Sequence, residues 1–597
     1  MCGIFGYCNI KDNGAGLLRV MADQQLHRGP DSEGFYTEGG FGFGIRRLSV
    51  IDLVTGDQPI TNEDKSIRIV CNGEIYNYRE LTAELKKEGH QFYTNSDVEC
   101  VVHLYEEYGI SCLRQLNGMF GLALFDSNKK CLYIARDRLG IKPLYYSALG
   151  NCFLFASELR SLLSTDLVSK EIDWEGLSCF LDQMYIPVPR SPFKKIRKLE
   201  PGHYLCIDDS NTVTEDSYWR LKDLPVEPLP RSEGEAIERL TFLLKDANKL
   251  QIRADVPICV FLSGGIDSSA VAAFAAMASS MPLRTFHVHF PEATKKIDER
   301  RYAAAVAQRY GTIHSEVAVS RNDFSRLIPK LIWHLEEPFG DLASIPTYII
   351  SEMARKEAVV CLNGSGGDEL FAGYPHHRNS FLARRSILSA VDRSGAGGAI
   401  RKFLGKSYNL NHWKKIFPGY VDRSLRDMPY QPGKAFGGRI NRVLAQDIDG
   451  YLQSNVLFLL DKIAMAVSLE GRVPLLDHRF VEVAAHLPAS WKIKNGKAKY
   501  IFKKMLEPYL PYELLYRKKE GFGAPLDDWI DEKTRINLQR VVENGLLNKS
   551  QLLRLENISF KTISPWDIWK IACLELWYRI IVSSSGRPQG KTLEDFA

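Results

Sequence analysis

Three stretches of this chain carry residue types whose order could do chemistry. The first is the start, Met1-Cys2-Gly3-Ile4-Phe5-Gly6. Removal of Met1 leaves a thiol and a free α-amine on one residue. That amine titrates near ~7.7–8.0, so part of it is neutral at cellular pH and can take the thiol proton. This is the N-terminal-amine way of activating a nucleophile. Taken alone, Cys2 also reads as a small buried apolar residue. The second stretch is Ser263-Gly264-Gly265-Ile266-Asp267-Ser268-Ser269, which ends the apolar run Pro257 to Leu262. Its glycine pair permits a sharp turn, and the N–H groups opening the next helix then suit a phosphate. Ser263, Ser268 and Ser269 add hydroxyl donors, and Asp267 offers a hard oxygen to Mg²⁺. No Gly-Lys-Ser/Thr ending follows, so this is not a Walker loop. The third is Asn363-Gly364-Ser365-Gly366-Gly367-Asp368-Glu369, after the apolar run Val359 to Leu362. At the carboxyl edge of one parallel sheet both loops would face one crevice. Asp267 and Asp368 could then share Mg²⁺ on a polyphosphate.

These residues need elements to position them. Up to about residue 210, short apolar runs alternate with Gly, Asn and Asp: Phe41 to Ile51, Ile67 to Cys71, Met119 to Phe125, Leu132 to Ala135 and Cys152 to Ala156. They read as strands of a layered, mainly antiparallel structure. Helices fit near Tyr78 to Lys87 and Asp97 to Tyr108. The polar passage Asp208 to Arg231, with Pro225, Pro228 and Pro230, reads as a linker. Beyond it, a helix from Gly234 to Gln251, the strand before Ser263, an Ala-rich helix to Ala278 and a strand Thr285 to Phe290 indicate a parallel α/β sheet. From about Leu382 the chain is helix-rich and ends in a Trp and Leu stripe, Trp566 to Val582, read as core.

Composition excludes several classes. The 597 residues leave room for two large domains or up to four smaller ones. With 45% hydrophobic and 25% charged residues the chain is ordinary for a soluble globular protein. Its net charge of +5 and the lack of long basic runs argue against nucleic-acid or membrane-surface binding. The patch Lys194 to Lys198 reads as a solvated face. No signal sequence and no long apolar span appear. Twelve scattered cysteines without CxxC pairs argue against a zinc knuckle or disulfide scaffold and for a reducing cytoplasm. Cys131 and Cys259 read as core.

Cys2 to Gly6, His27-Arg28-Gly29-Pro30-Asp31, Arg47-Leu48-Ser49 and Asn72-Gly73-Glu74-Ile75-Tyr76-Asn77 resemble class II glutamine amidotransferases. Ser263 to Ser269 resembles the pyrophosphate loop of N-type ATP pyrophosphatases. Together, in this order, they resemble the glutamine-hydrolysing asparagine synthetase family over nearly the whole chain, most weakly from Arg384 to Ala445. The resemblance implies an α+β, layered αββα Ntn-hydrolase-like glutaminase domain at 2–210 and a linker at 211–231. It implies an α/β parallel-sheet ATP pyrophosphatase (HUP-like) domain, with a helical C-terminal part, at 232–597.

The same resemblance implies the roles. Cys2 would form a glutamyl thioester, with Asn72 and Gly73 as oxyanion donors. Arg47 and Leu48 would bind the glutamine carboxylate end, and Glu74 and Asp97 its α-ammonium. Without the family, Asp97 would read as a helix N-cap. In the second half a carboxylate would attack the α-phosphate of ATP. Leu262, Val288 and Gly364 would contact adenine and ribose. Ser263, Gly264, Gly265, Asp267, Ser268, Ser269 and Lys499 would hold the pyrophosphate, with Asp267 and Asp368 on Mg²⁺. Ammonia would pass between the sites by a tunnel. Expected partners are glutamine and a small carboxylate, with no nucleic acid and no membrane; a homodimer is left open. Three positions depart from the family. Ser365 replaces an acid, Leu459 stands where a basic residue is common, and Leu342 stands where an aspartate-contacting Arg occurs. Three readings follow: asparagine synthesis from aspartate, the same chemistry on another acid such as a uronic-acid sugar, or a nucleotide-binding regulatory protein with an inactive synthetase half.

Overall fold

Alternation along single strands decides which side chains meet in the N-terminal half. The computed structural model describes residues 2–10, 12–223, 229–292, 298–382, 410–421, 438–517, 529–583 and 586–597. Met1, Pro225, Pro228 and most of the stretch between Arg384 and Ala445 lie outside them. In the strand Gly3–Cys8, Ile4 and Cys8 face one apolar layer, while Phe5 and Tyr7 face another. In the strand Ile67–Ile75, Val70 faces the same layer as Ile4, and Ile69 and Cys71 point away. That shared layer lies between two antiparallel six-stranded sheets. The first runs in the order 197–198, 145–148, 153–156, 3–8, 41–47, 32–38. The second runs 213–217, 203–208, 131–136, 118–126, 67–75, 60–61. Helices Gly14–Asp23 and Leu159–Leu163 pack on the first sheet, and Tyr78–Glu88 and Glu99–Tyr108 on the second, completing four αββα layers.

Three readings change here. The run from Phe41 leaves the sheet after Arg47, because residues 48–51 turn toward Cys2. The passage read as a linker begins as a strand, Val213–Ser217, paired with His203–Asp208. Its alternation was masked by acidic side chains facing solvent. Cys131 and Cys206 are joined as a disulfide across neighbouring strands, although no such bond was expected.

The C-terminal half is built on a five-stranded parallel sheet, in the order 313–318, 284–289, 258–261, 360–362, 470–472. Helices Glu233–Gln251 and Ile266–Ala278 cover one face. Arg321–Leu335 and Ser344–Arg355 share the apolar cluster on the other. The helix Pro565–Trp577 is capped by Ser564, whose side chain accepts from the Asp567 N–H, and has Pro565 in its first turn. Its Trp569 and Trp577 are core, with indole N–H groups donating to Gly340 and Glu336 carbonyls.

Buried charges join the halves. Lys462 Nζ lies 2.9 Å from Glu158 and 2.6 Å from Glu336. Arg28 Nη1 lies 2.8 Å from both Glu158 and Asp461. Lys198 is buried as well and pairs with Glu337 at 2.7 Å, whereas Lys194, Lys195 and Arg197 of the basic patch are exposed, as a solvated face should be. Removing one member of such a network strands the others in a dry environment. Lys462→Met should therefore cost about 3–5 kcal/mol, read as a lower melting temperature; an unchanged melt would show that the network carries no stability.

Candidate active sites

Strand periodicity brings the first group together. Asn72 and Glu74 share a strand face with Val70, toward Cys2. The Cys2 backbone nitrogen donates to Asn72 Oδ1 at 2.9 Å. The Asn72 Nδ2 donates to the buried Ser157 Oγ at 3.4 Å. Cys2 Sγ lies 3.9 Å from the Leu48 carbonyl. Burial pushes the Cys2 thiol up from its ordinary value. Gly73 admits no side chain, because a Cβ would sit 2.0 Å from the Met119 carbonyl oxygen. Arg47 is buried and held by Asp57 at 3.0 Å and by the Ile51 and Asp52 carbonyls at 3.1 and 2.6 Å.

Asp97 does not cap the helix that follows it. Its carboxylate accepts the Ile75 N–H at 2.7 Å, across from Glu74. Burial pushes the Asp97 carboxyl up to about 6, against the pull of that N–H and of Arg472. Glu74 is raised well above the carboxylate range by burial and by Glu470 and Asp97. Crowded acids in a dry pocket favour a cation.

Sequence reading missed the residues that brace this pocket from the other half. Arg472, fully buried on the synthetase strand Glu470–Arg472, lies 3.3 Å from Glu74 and 2.6 Å from Glu470. It also donates to the Gln251 and Arg253 carbonyls at 2.7 Å each. Arg28 donates to the Cys2 carbonyl at 2.9 Å while pairing with Asp461. Two opposite charges at alternate positions inside an apolar run, Glu470-Gly471-Arg472, were the available signal.

The second group lies at the carboxyl edge of the parallel sheet. The helix after the first loop starts at Ile266, earlier than its apolar run suggested, so Asp267 and Ser268 sit in its first turn. Gly264 turns the chain at φ +77°. Ser268 Oγ lies 2.9 Å from Ser263 Oγ and accepts the Ser263 N–H at 3.1 Å. The two loops touch: a Cβ on Gly364 would lie 2.5 Å from Ser268 N, and one on Gly367 would lie 2.4 Å from Asp267 Oδ1. Lys499 Nζ lies 2.5 Å from Asp267 and 2.6 Å from Asp368. Burial would lower the Lys499 ammonium, but the two carboxylates outweigh it and raise it.

These groups open on a cleft of about 480 Å³. Leu262, Ser263, Gly265, Asp267, Ser268, Val288, Gly364, Asp368 and Lys499 line it. Ser269 is fully buried and does not line it, and Leu342 packs into the core. Leu459 and Ser365 do line it. Ser365 turns inward, its Oγ donating to Asn363 Oδ1 at 2.6 Å. Beyond it stand Asp341, Glu369, Tyr374, Tyr451 and Asn455. The Tyr374 hydroxyl donates to Glu369 Oε1 at 2.7 Å. Burial and the neighbouring Asp368 push the Glu369 carboxyl up to about 7.

An Ntn-type cysteine pocket in one half and a parallel-sheet nucleotide cleft in the other define a glutamine amidotransferase coupled to a synthetase. Residues 1–219 match the glutamine amidotransferase domain family, and residues 239–579 match the asparagine synthase family. Asparagine synthetase [glutamine-hydrolyzing] 1 of Bacillus subtilis is 32% identical, over 99% of this chain and 98% of its own length. Asparagine synthetase [glutamine-hydrolyzing] 3 of the same organism is 31% identical over 95% of each. Amidase chyE of Penicillium rubens is 30% identical over 84% of each. The chain belongs to the asparagine synthase family. No helix among the described residues is long and apolar enough to cross a membrane.

On the expected role of Asp97 at the glutamine ammonium, its raised carboxyl predicts a pH limit on glutamine use. Above about pH 6 its carboxylate is charged and can hold an ammonium; below that it is neutral. kcat/KM for glutamine, which reports the free enzyme, should fall as pH drops through about 6. Asp97→Asn should abolish that limb, and a limb that persists would assign it elsewhere.

Proposed function

We propose that Cys2, freed of Met1, attacks the side-chain amide of glutamine and releases ammonia. The ammonia passes to a carboxylate activated as an acyl-adenylate in the synthetase cleft. The observation that carries this reading is the meeting of two glycine loops on Asp267, Asp368 and Lys499 within a chain that also holds the Cys2 pocket.

The thiol is stored protonated by burial, so attack requires a base beside it. The α-amine of mature Cys2 is that base, and its nitrogen is already aligned on Asn72 Oδ1 at 2.9 Å. Asn72 Nδ2 and the Gly73 N–H then face the oxyanion of the tetrahedral intermediate. Arg47 and the Leu48 backbone take the glutamine carboxylate end, and Glu74 and Asp97 take its α-ammonium.

In the cleft, the acceptor carboxylate attacks the α-phosphate of ATP, and the bond to pyrophosphate breaks. Leu262, Val288 and Gly364 receive the adenosine. The Ser263 to Ser269 loop receives the pyrophosphate through the Ser263 and Ser268 hydroxyls and the N–H groups of its helix, and Lys499 neutralises the leaving charge. Asp267 and Asp368 would hold Mg²⁺. One ammonium reaching both carboxylates, at 2.5 and 2.6 Å, supports that fit. When bound, the ion neutralises phosphate oxygens. Ammonia then attacks the acyl carbon, AMP leaves, and the nitrogen sheds a proton. Ser365 cannot take it as a carboxylate would. Glu369, held by Tyr374 and poised at about 7, can.

Aspartate is the acceptor that the curated relatives' names support. Asp341, which lines the same cleft, suits its α-ammonium. Ser365 and Leu459 favour a second reading, another small carboxylate such as a uronic-acid sugar, because both line the cleft. Leu342, buried away from it, lends that reading no support.

A panel of carboxylates with glutamine and Mg-ATP separates the two readings. Aspartate-dependent AMP with asparagine by mass spectrometry is the expected result, and AMP with a different acid alone would move the assignment to that acid. Glutamate release without AMP for every acid would sink the synthetase reading. Cys2→Ala should lose glutamine-driven turnover and keep turnover with added ammonia. Glu369→Gln should slow amide formation by about 10²-fold or more while leaving ATP–pyrophosphate exchange; loss of both together would make it a binding residue.

A further inference from the structure

Away from both catalytic pockets, on the outer face of the glutaminase half, four side chains from three segments converge. Glu63 follows the short strand Ile60–Thr61, His90 follows the helix Tyr78–Glu88, and His103 and Glu106 lie on the helix Glu99–Tyr108. We propose that they bind one divalent transition-metal ion, of the zinc class, as a structural clamp.

The spacing is that of a coordination shell. His90 Nδ1 lies 3.4 Å from Glu63 and 3.6 Å from Glu106. His103 Nδ1 lies 3.3 Å from Glu63 and 3.0 Å from Glu106. A tetrahedron with metal bonds of about 2.0–2.1 Å has edges of roughly 3.3 Å. Two imidazoles with two carboxylates suit zinc and its neighbours better than magnesium or calcium, which prefer all-oxygen sets.

The surroundings orient the ligands in the same sense. His90 Nε2 faces Glu107 at 3.1 Å, and His103 Nε2 faces Glu99 at 3.8 Å. The Glu107 carboxylate behind His90 keeps the proton on its Nε2 and leaves its Nδ1 lone pair facing the centre. Asn62 Nδ2 holds the other oxygen of Glu106 at 2.8 Å. The Gln91 N–H holds Glu63 at 3.0 Å. Four carboxylates thus surround two imidazoles. Either a divalent ion or imidazolium protons balance that charge: burial alone would lower the His103 imidazolium, and the facing glutamates outweigh it and raise it.

A second cluster, His376, His377 and Asp447, has a different logic. His377 Nδ1 accepts the Tyr374 N–H at 3.3 Å, so its Nε2–H donates to Asp447 at 2.6 Å. No lone pair of His377 is left for a metal there, and the cluster serves as an internal control.

The clamp would stand at the base of a working loop. Residues 93–97 run from His90 to the helix and deliver Asp97 to the glutamine pocket, with the Tyr93 and Thr94 N–H groups on Glu99 at 2.8 Å each.

The test uses the full-length, chelator-treated protein titrated with Zn²⁺ at neutral pH in excess Mg²⁺. Expected are one saturable equivalent per chain, a higher melting temperature with Zn²⁺, and, with Co²⁺, the intense visible bands of a tetrahedral ion. His90→Ala and Glu106→Gln, which alter partly exposed ligands, should each lose uptake, colour and the thermal shift, whereas His376→Ala should keep them. Uptake that survives both ligand changes, or no saturable uptake at any pH with a melting temperature that responds to acid alone, would overturn the proposal in favour of a proton-held cluster.

Discussion

Charge buried at the seam between the two halves is the constraint on which the other features rest. Arg28, Lys142, Glu158, Glu336, Asp461, Lys462 and Arg472 are almost without solvent, and together they span both catalytic regions. An ion in that position is tolerated only with partners in good geometry, and each removal leaves an uncompensated charge. The two halves are therefore held in one relative placement by far more than apolar contact. Arg28 holds the Cys2 carbonyl and Asp461 at once, and Asp461 sits two residues from Leu459 in the other cleft. A reaction that must hand a small neutral molecule from one pocket to the other needs that fixed placement.

The same economy shapes the pockets. In the first, two crowded carboxyls, Glu74 and Asp97, are both raised by burial, with the buried Arg472 beside Glu74. In the second, two aspartates converge on one lysine. Each arrangement costs stability, and on the proposed function it gains recognition: the first for an ammonium, the second for a metal-bound phosphate chain. Backbone contact supplies the rest, since Gly73, Gly364 and Gly367 stand where any side chain would collide.

Much of this was legible in the residues. The strand and helix periods gave a layered antiparallel half and the start of a parallel sheet, because they reflect which face of an element meets the core. The glycine loops could be read because few residues permit such close approach. Contacts between segments far apart in sequence were not legible. Glu470-Gly471-Arg472 shows no motif, and only the parallel sheet brings it to Glu74. The strand Val213–Ser217 was hidden by acidic residues that face water, and Leu342 looked like a specificity position until its burial placed it in the core. Single-chain reading sees periodicity and misses partners.

The buried state of Cys2 has a further consequence. Oxidants and general alkylating agents attack the thiolate, in proportion to its exposure and its fraction ionised. A thiol that burial keeps protonated, 5% exposed beneath the Leu48 carbonyl, presents little of either. The nucleophile is thereby preserved through idle periods against the small reactive molecules of its surroundings. On the proposed binding roles of Arg47, Glu74 and Asp97, it becomes vulnerable chiefly to electrophiles that carry glutamine's own α-amino acid end. Chemical durability and selective inhibition thus come from the same few ångströms of packing.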